Sequence, residues 1–369
     1  MRVLHLIDTL GIGGKEKFTV TLAGYQRSLG IESFIFSMDS HNSFKHEIEA
    51  KKIPLFTMPR TKAFDFQLIK NIRAFVLKEK ISILHCHNET AAIYGALVNP
   101  QGCKTVVTLH NGDRNSYSLK SRIENRIAFI RADKLVAVSE GIASSLKSRE
   151  FCPSSKIQVI ENGIEETKPV EEKNIQSLRK EFSLDSDDII LTCIGRLDRV
   201  KNHLGFLNAF AKVAIQIPQL KLILVGDGPL RSQIEDRIQE LNLGEKTRIT
   251  GFRNDIPAFL ALTDIFALPS FQEGQSISLL EACSASKAIL ASDRGGTPSI
   301  VSHNASALLI DPENIESMSE ALFTLGSQRS LRESLGKSAH AAYQGRFSLK
   351  TCSQNYSNLY EQLLRSRRN

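Results

Sequence analysis

Short β-branched apolar runs alternate with amphipathic segments along the whole chain, and this alternation constrains the fold more than any other feature. Such alternation predicts βα units arranged around parallel sheets, and therefore an α/β fold. The predicted strands are 3–7, 31–38, 53–57, 81–85, 104–109, 134–138, 156–160, 189–194, 220–225, 247–250, 265–268, 288–291 and 307–310. The predicted helices include 15–29, 64–79, 118–131, 203–216, 229–241, 315–325 and 330–344.

The series of βα units is interrupted once, at a polar and acidic stretch that follows the turn Glu161-Asn162-Gly163-Ile164. Because 369 residues exceed the size at which a single core usually keeps growing, we expect two domains. We place the junction near 165–172 and assign the first domain to 1–168 and the second to 169–347. The final segment, 348–369, has apolar residues at helical spacing and predicts a closing helix.

Several classes of protein are disfavoured by composition. No run approaches 18 consecutive apolar residues, so no transmembrane helix is predicted. The short apolar run in 1–10 leads into a glycine turn and reads as a first strand rather than a signal peptide. The six cysteines contain no C-x-x-C pair, which favours reduced side chains in a cytoplasmic protein.

The net charge of +7 lies entirely in the first half of the chain. Residues 1–168 contain 24 Lys and Arg against 17 Asp and Glu, whereas 169–369 contain 23 of each kind. An anionic partner of the first half is therefore expected, and nucleic acid, an anionic membrane and a phosphorylated acceptor all fit this charge. The basic segments 60–80 and 114–134 suggest peripheral attachment to the inner face of the cytoplasmic membrane, with a core-packed helix as the alternative for 60–80.

The stretch from Glu273 to Glu281 is the strongest functional signal, because two carboxylates bracket a loop that opens a helix after the strand 265–268. Ligands of parallel sheets gather where strands end, and a helix N-terminus there favours an anion. Arg196 and Lys201 follow the strand 189–194, where two cations can neutralise a diphosphate. This layout suits a nucleotide-sugar, although a solvated charged loop would also explain the cations.

Two further candidates come from the first half. Gly13 and Gly14 lie in a glycine turn between the first strand and helix, which suits phosphate but lacks the third glycine of the dinucleotide fingerprint. His110 ends the strand 104–109, where an imidazole can hydrogen-bond a sugar hydroxyl or play a structural role.

Two patterns suggest metal binding, and neither is convincing. The D-x-D string in 185–188 precedes a strand and therefore lies at the wrong sheet edge, so it reads as a turn. His85, His87 and His110 have no carboxylate or C-x-x-C to complete a ligand set. We expect no metal site.

Taken together, the motifs resemble the retaining GT-B glycosyltransferases of family 4, nearly from end to end. The segments that carry the resemblance are Gly13 to Glu16, 108–110, 138–140, 160–164, 195–201, 225–229, 251–252, 268–270, 273–281 and 295–296. The resemblance implies two Rossmann-like domains that face a cleft, with the acceptor in the first, the donor in the second, and a final helix that crosses back to the first.

The resemblance also implies roles for individual residues. It places Arg196 and Lys201 on the donor diphosphate and Glu281 on the ribose. Backbone contacts would come from Ser276 and Ile277, while Gly13 and Gly14 would approach the phosphates. His110 and Glu273 would lie by the reacting sugar and are the catalytic candidates, with Glu273 acting through positioning and charge stabilisation.

The implied activity is transfer of a sugar from a nucleotide-diphosphate donor, expected to be a UDP-sugar, to a lipid-linked or polysaccharide acceptor in cell-surface glycan synthesis. No cofactor, no obligatory metal and no nucleic-acid partner are expected. One alternative is an NAD-dependent oxidoreductase with two Rossmann-like domains, in which Asp39 would bind ribose. Another is a non-catalytic, nucleotide-binding GT-B subunit.

Overall fold

A computed structural model describes residues 1–62, 64–98, 102–110, 119–148 and 152–366. The chain divides into two compact units, one formed by Met1–Ile164 with Leu349–Asn369 and the other by Glu165–Ser348. Each unit is built on a parallel sheet with helices between successive strands. Both are Rossmann-like, as the alternation of the sequence predicts.

The strands of the first unit are β1 (Arg2–Ile7), β2 (Glu32–Ser37), β3 (Leu55–Thr57), β4 (Ile83–Cys86), β5 (Lys104–Leu109), β6 (Lys134–Ala137) and β7 (Ile157–Val159). Its helices are α1 (Gly14–Ser28), α2 (Lys45–Ala50), α3 (Phe66–Lys78), α4 (Glu89–Val98), α5 (Leu119–Arg131) and α6 (Glu140–Ser148), with α15 (Leu349–Arg365) from the end of the chain. The described strands lie in the order β3-β2-β1-β4-β5-β6-β7. The order reverses between β1 and β4, which are paired in parallel.

The strands of the second unit are β8 (Ile189–Ile194), β9 (Leu220–Val225), β10 (Thr247–Gly251), β11 (Ile265–Leu268), β12 (Ala288–Ser292) and β13 (Leu308–Ile310). Its helices are α7 (Glu172–Glu181), α8 (His203–Gln216), α9 (Arg231–Glu240), α10 (Ile256–Leu262), α11 (Ile277–Ser284), α12 (Thr297–Ile300), α13 (Ile315–Ser327) and α14 (Arg329–Arg346). The described strands lie in the order β10-β9-β8-β11-β12-β13. Here the order reverses between β8 and β11.

Each sheet is covered by helices, so its central strands are buried on both faces and their sequences are almost continuously apolar. In the first unit α3 buries Leu68, Ile72 and Val76, which are spaced four residues apart and face the core. The six cysteines are free and buried, as expected for reduced side chains. Among the described helices, none is both long and apolar enough to cross a membrane.

The final helix, α15, belongs to the first unit. The backbone N–H of Leu349 donates to the carbonyl of Ile164, and the hydroxyls of Tyr356 and Tyr360 reach Thr108 and His85. One backbone hydrogen bond at the start of this helix and two tyrosine hydroxyls therefore attach it to the first unit. The prediction that the last helix crosses back to the first domain is confirmed.

The structure adds helices that the sequence did not single out. The polar stretch after residue 165 contains α7, which buries Leu178 and leaves most of its other residues to solvent. Helix α4 has small apolar residues and little polar face, so it lacks the amphipathic signature of a surface helix. The basic segment 114–134 is described only from residue 119 onward, and residues 114–118 lie outside the described ranges.

Candidate active site

The candidate site of the second unit lies where the order of its sheet reverses. Lys201 follows β8 and Glu273 follows β11, and these two strands are direct neighbours in the sheet. Loops that leave the carboxyl ends of adjacent strands on either side of a reversal diverge and leave a crevice. This topology brings together two residues that are 72 positions apart in the chain.

Lys201 and Glu273 form an ion pair, with 2.6 Å between Nζ and Oε1. Both side chains are largely buried, with 20% and 11% of their surface exposed. The turn that carries Lys201 is closed by Asp198, whose carboxylate accepts from the Lys201 backbone N–H. The N–H of Phe271 donates to the carbonyl of Val200, which ties this turn to the loop that carries Glu273.

Two glycines hold the Glu273 loop in place. The N–H of Gly296 donates to the carbonyl of Glu273, and a Cβ at Gly296 would lie 1.7 Å from the oxygen of Gly274. Gly295 has φ of +60°, a conformation that non-glycine residues rarely adopt. The backbone at 273–274 therefore rests directly on the loop after β12, which only glycine permits.

Helix α11 begins beside the ion pair. Ser276 caps it, because its hydroxyl accepts from the N–H of Leu279. The first-turn N–H groups of Ile277 and Ser278 have no partner within the helix and can donate hydrogen bonds to an anion. Glu281 is partly buried in the same helix. The structure thus brings Lys201, Glu273 and the predicted residues of α11 into one loop-and-helix region.

Arg196 occupies the loop between β8 and the Lys201 turn. Its side chain is exposed and makes no hydrogen bond or ion pair to another described residue. The backbone around it is fixed, because the N–H of Gly195 donates to the carbonyl of Val225 at the end of β9 and that of Leu197 donates to the carbonyl of Asp227 in the following loop. The cations of this region therefore differ: Lys201 is paired with an acid, whereas Arg196 is available to an incoming anion.

The first unit has its own reversal point, between β1 and β4, and the glycine turn follows β1 there. Gly13 and Gly14 open α1, and Lys15 lies 2.7 Å from Asp8 and 3.2 Å from Glu16. Although burial opposes its charge, the two acids raise the pKa of Lys15 above its ordinary value. Burial also raises the pKa of Glu16, against the pull of Lys15. Lys15 is a charged group at this turn that the sequence prediction did not single out.

His110 follows β5, next to the strand that ends at His85 and Cys86. Its ring lies edge-on to Phe18 at 5.4 Å and stacks on His87 at 5.8 Å. Burial, with a smaller effect of Lys15, lowers the pKa of His110 to about 3. At neutral pH this imidazole is therefore uncharged and suited to hydrogen bonding rather than to acid catalysis.

The D-x-D string forms a turn before β8, in which Asp188 accepts from the N–H of Asp185. It lies at the amino edge of the sheet, away from Lys201 and Glu273, as predicted. Asp39, the ribose-binding residue of the oxidoreductase alternative, accepts a hydrogen bond from Thr9 and another from the N–H of His41. Its carboxylate is already engaged by the loops around it.

Comparisons with known proteins agree with this architecture. Residues 12–168 match the family model described as Glycosyltransferase Family 4, and residues 174–342 match the one described as Glycosyl transferases group 1. The chain is 24% identical to N-acetyl-alpha-D-glucosaminyl L-malate synthase of Bacillus anthracis, over 89% of this chain and 86% of that protein.

A second relative is the Escherichia coli UDP-Gal:alpha-D-GlcNAc-diphosphoundecaprenol alpha-1,3-galactosyltransferase, which is 28% identical over 70% of this chain and 71% of that protein. Among solved structures, Anabaena Alr3699/HepE in complex with UDP and glucose superposes with a TM-score of 0.88 at 20% identity, covering 98% of this chain and 100% of that one. The oxidoreductase alternative receives no support from these matches. The two family models together span both units, and the chain is a glycosyltransferase of family 4 with the GT-B fold.

Proposed function

We propose that this chain transfers a sugar from a UDP-sugar to a lipid-linked or polysaccharide acceptor of cell-surface glycan synthesis, with retention of the anomeric configuration. The observation that carries the proposal is the Lys201–Glu273 ion pair beside the first turn of α11. It combines a fixed cation, a carboxylate and helix N–H groups at the reversal point of one sheet. The names of the E. coli and Anabaena proteins, which mention UDP-Gal and UDP with glucose, favour uracil as the base of the donor.

The proposed chemistry follows from the charges. When the bond between the anomeric carbon and the β-phosphate oxygen breaks, the electron pair stays with the nucleoside diphosphate. Lys201, Arg196 and the N–H groups of Ile277 and Ser278 stabilise that growing negative charge. The acceptor hydroxyl attacks the same face of the sugar and gives its proton to the departing phosphate oxygen. No metal is required in this scheme.

Other residues take the roles that the family resemblance implies. Glu273 positions the transferred sugar and stabilises the positive charge that develops on it. Glu281 binds the ribose hydroxyls. In the first unit, Gly13 and Gly14 permit a close backbone approach to the phosphates, and neutral His110 hydrogen-bonds the reacting sugar.

Calorimetric titration with UDP, GDP, ADP and NAD tests the proposal. We expect UDP to bind, GDP and ADP to bind more weakly, and NAD not to bind. Subsequent titration with UDP-sugars then identifies the donor. Binding of NAD without binding of any nucleoside diphosphate would contradict the proposal, and nucleotide binding with no transfer or donor hydrolysis would favour the non-catalytic alternative.

We further propose that the first unit attaches to an anionic membrane surface through α5. Of the two basic segments, the second offers the exposed apolar face. Most apolar side chains of 60–80 are packed in the core, and among the described residues of that segment only Phe64, Phe66 and Leu77 are large apolar side chains with substantial exposure. In α5, by contrast, Ile123, Ile127 and Ile130 are each about half exposed and lie on one face. The helix carries four Lys and Arg residues against one Glu, which complements anionic lipid.

Replacing Ile123 and Ile127 by serine tests this surface by vesicle sedimentation. An isoleucine that leaves water contributes about 1.5–3 kcal/mol, so the double variant should partition at least about tenfold less onto vesicles containing phosphatidylserine. Ile215→Ser is a matched control, because Ile215 is 83% exposed in α8 of the second unit. Equal vesicle binding by the double variant and the wild type would refute the role of α5.

A further inference from the structure

A cluster of buried imidazoles lies under the reversal point of the first sheet. His5 of β1 and His85 of β4 are adjacent partners across the two strands, and His87 follows two residues later. All three side chains are fully buried, and the ring centroids of His85 and His87 are 4.0 Å apart. One nitrogen from each ring lies within 4.8 Å of the others, a spacing that would suit a metal ion.

Hydrogen bonds engage five of the six ring nitrogens of this cluster. His85 contacts Tyr360 through Nδ1 and Thr108 through Nε2, each at 2.7 Å. His5 contacts His87 through Nδ1 at 2.8 Å and Gln26 through Nε2 at 2.9 Å. Of these six ring nitrogens, only Nδ1 of His87 has no partner among the described residues. A metal would have to displace several of these bonds, so the cluster is organised as a hydrogen-bond network.

The direction of the hydrogen bonds fixes the tautomer of His87. The side-chain oxygen of Gln26 accepts from the hydroxyl of Ser33 and therefore also accepts from Nε2–H of His5. Neutral His5 then has an unprotonated Nδ1, which must accept from Nε2–H of His87. The remaining nitrogen of His87, Nδ1, is left with a free lone pair. Burial, with smaller effects of the neighbouring histidines and Lys15, holds the pKa of His87 well below its ordinary value.

The backbone next to His87 also has an unusual conformation. Asn88 has φ of 146°, a left-handed conformation that non-glycine residues rarely adopt. Its side-chain oxygen accepts from the N–H of Ala91 and closes the first turn of α4. His110, at the end of the adjacent strand β5, stacks on His87 with an angle of 23° between the rings. The His87 ring is therefore beside a residue already proposed to contact the sugar.

We propose that Nδ1 of His87 is a hydrogen-bond acceptor for a sugar hydroxyl, and that Gln26 and His5 are positioning residues that hold His87 as the Nε2–H tautomer. The ligand is a neutral hydroxyl, because an unprotonated ring nitrogen can only accept a hydrogen bond. Its lone pair would repel an anion. This inference rests on the proposed function, since it assigns a contact to the same substrate. It connects Gln26 of α1, through His5, to His87 at the site of the first unit.

The tautomer can be measured directly by two-bond ¹H–¹⁵N spectra of the full chain labelled with ¹⁵N-histidine, at about pH 8, above the reference pKa of histidine in model peptides. Two other histidines provide internal standards. Nδ1 of His303 accepts from the N–H of Leu309, so that ring is an Nε2–H tautomer. Nδ1 of His340 contacts the carbonyl of Ser284, so that ring is an Nδ1–H tautomer. We expect the His87 signals to match the His303 type.

The Gln26→Met variant tests the positioning role, because it removes the acceptor of His5. We expect His87 to become a mixture of tautomers in this variant, while His303 and His340 are unchanged. A proton on Nδ1 of His87 in the wild type would overturn the proposal, because the hydrogen-bond chain would then run the other way. Uptake of one equivalent of Zn²⁺ with loss of these signals would also overturn it.

Ligand titrations test the contact itself. Methyl glycosides at high concentration and UDP-sugars should change the ¹⁵N chemical shift of Nδ1 of His87, whereas UDP should not. A response to UDP-sugars alone would assign the hydroxyl to the donor, and a response to methyl glycosides alone would assign it to the acceptor. No response to any sugar would overturn the contact, even if UDP binds and the proposed function holds.

The His87→Leu variant provides a second readout. For the donor case, we expect it to weaken UDP-sugar binding about threefold to tenfold, the range for one hydrogen bond, without changing UDP binding. For the acceptor case, KM for the acceptor should rise by the same factor. An equal loss of UDP and UDP-sugar binding would indicate a purely structural role.

Discussion

Lys201→Ala is expected to slow sugar transfer by about 10²–10³-fold, the range found when one preorganised stabilising group is removed from a transition state. The cation is paired with Glu273 and largely buried, so its charge is weakly screened by solvent and is already in position before the donor arrives. Its loss leaves the departing diphosphate and the Glu273 carboxylate without a neutralising partner. Initial rates of transfer, or of donor hydrolysis without acceptor, measure the effect.

Glu273→Ala should remove most activity as well, because the carboxylate is proposed to position the transferred sugar. Lys212→Ala provides a matched control within the same unit. It breaks the exposed ion pair between Lys212 and Glu316, and exposed pairs contribute little to stability. If Lys201→Ala and Lys212→Ala changed the rate equally, the second unit would not use Lys201 in the reaction.

Acidification from pH 6.5 to 5 is expected to destabilise the first unit by roughly 3 kcal/mol or more, a large part of the stability of a typical domain. Burial lowers the pKa of His5 to about 4 and holds the pKa values of His85 and His87 well below the ordinary one. The unfolded chain binds protons below pH 6.5 and the folded chain does not. For His5, and for His110, whose folded-state pKa is about 3, this acidification costs roughly 1.5 kcal/mol each. The lowered pKa values of His85 and His87 act in the same direction.

The sign follows from these lowered pKa values. The stability that comes from keeping these histidines neutral is fully present above pH 6.5. It is lost as the pH falls from there towards the pKa values of the histidines in the folded state. Hydrogen exchange followed by mass spectrometry at pH 7, 6 and 5 can report the two units separately. After correction for the intrinsic exchange rate, protection of the central strands β1, β4 and β5 should fall steeply, whereas that of β8 and β11 should fall less. Unchanged protection of β1, β4 and β5 across this range would contradict the assignment of these neutral buried histidines.

The sequence predicted the strands and the residues at their carboxyl ends well, because both signals are local. The bounds of β8 and α8 agree with the predicted 189–194 and 203–216, since apolar runs and helical spacing are unambiguous there. Local signals also identified Lys201 and Glu273 as separate candidates. Their contact depends on β8 lying beside β11, which only the strand order of the folded sheet provides.

Residues whose importance depends on tertiary packing were harder to predict. His5 and His87 are 82 positions apart, and no pattern in the sequence connects them. Helix α4 was not predicted because its residues are small and apolar on nearly every side. For residues 60–80 the sequence left both a membrane surface and a core-packed helix open, because a stripe that faces the core has the same spacing as one that faces lipid. Burial in the folded structure separates these two cases.

The central claim is that the second unit holds the donor diphosphate by cations and helix N–H groups, without a metal. Titration of UDP and of uridine into the wild type and Lys201→Ala, all in the presence of EDTA, tests it most directly. We predict that wild type binds UDP in EDTA and that Lys201→Ala binds UDP at least about tenfold more weakly, as expected for loss of a charge-assisted hydrogen bond, with unchanged uridine binding. Loss of UDP binding on adding EDTA, or equal UDP affinity of the two proteins, would contradict the account.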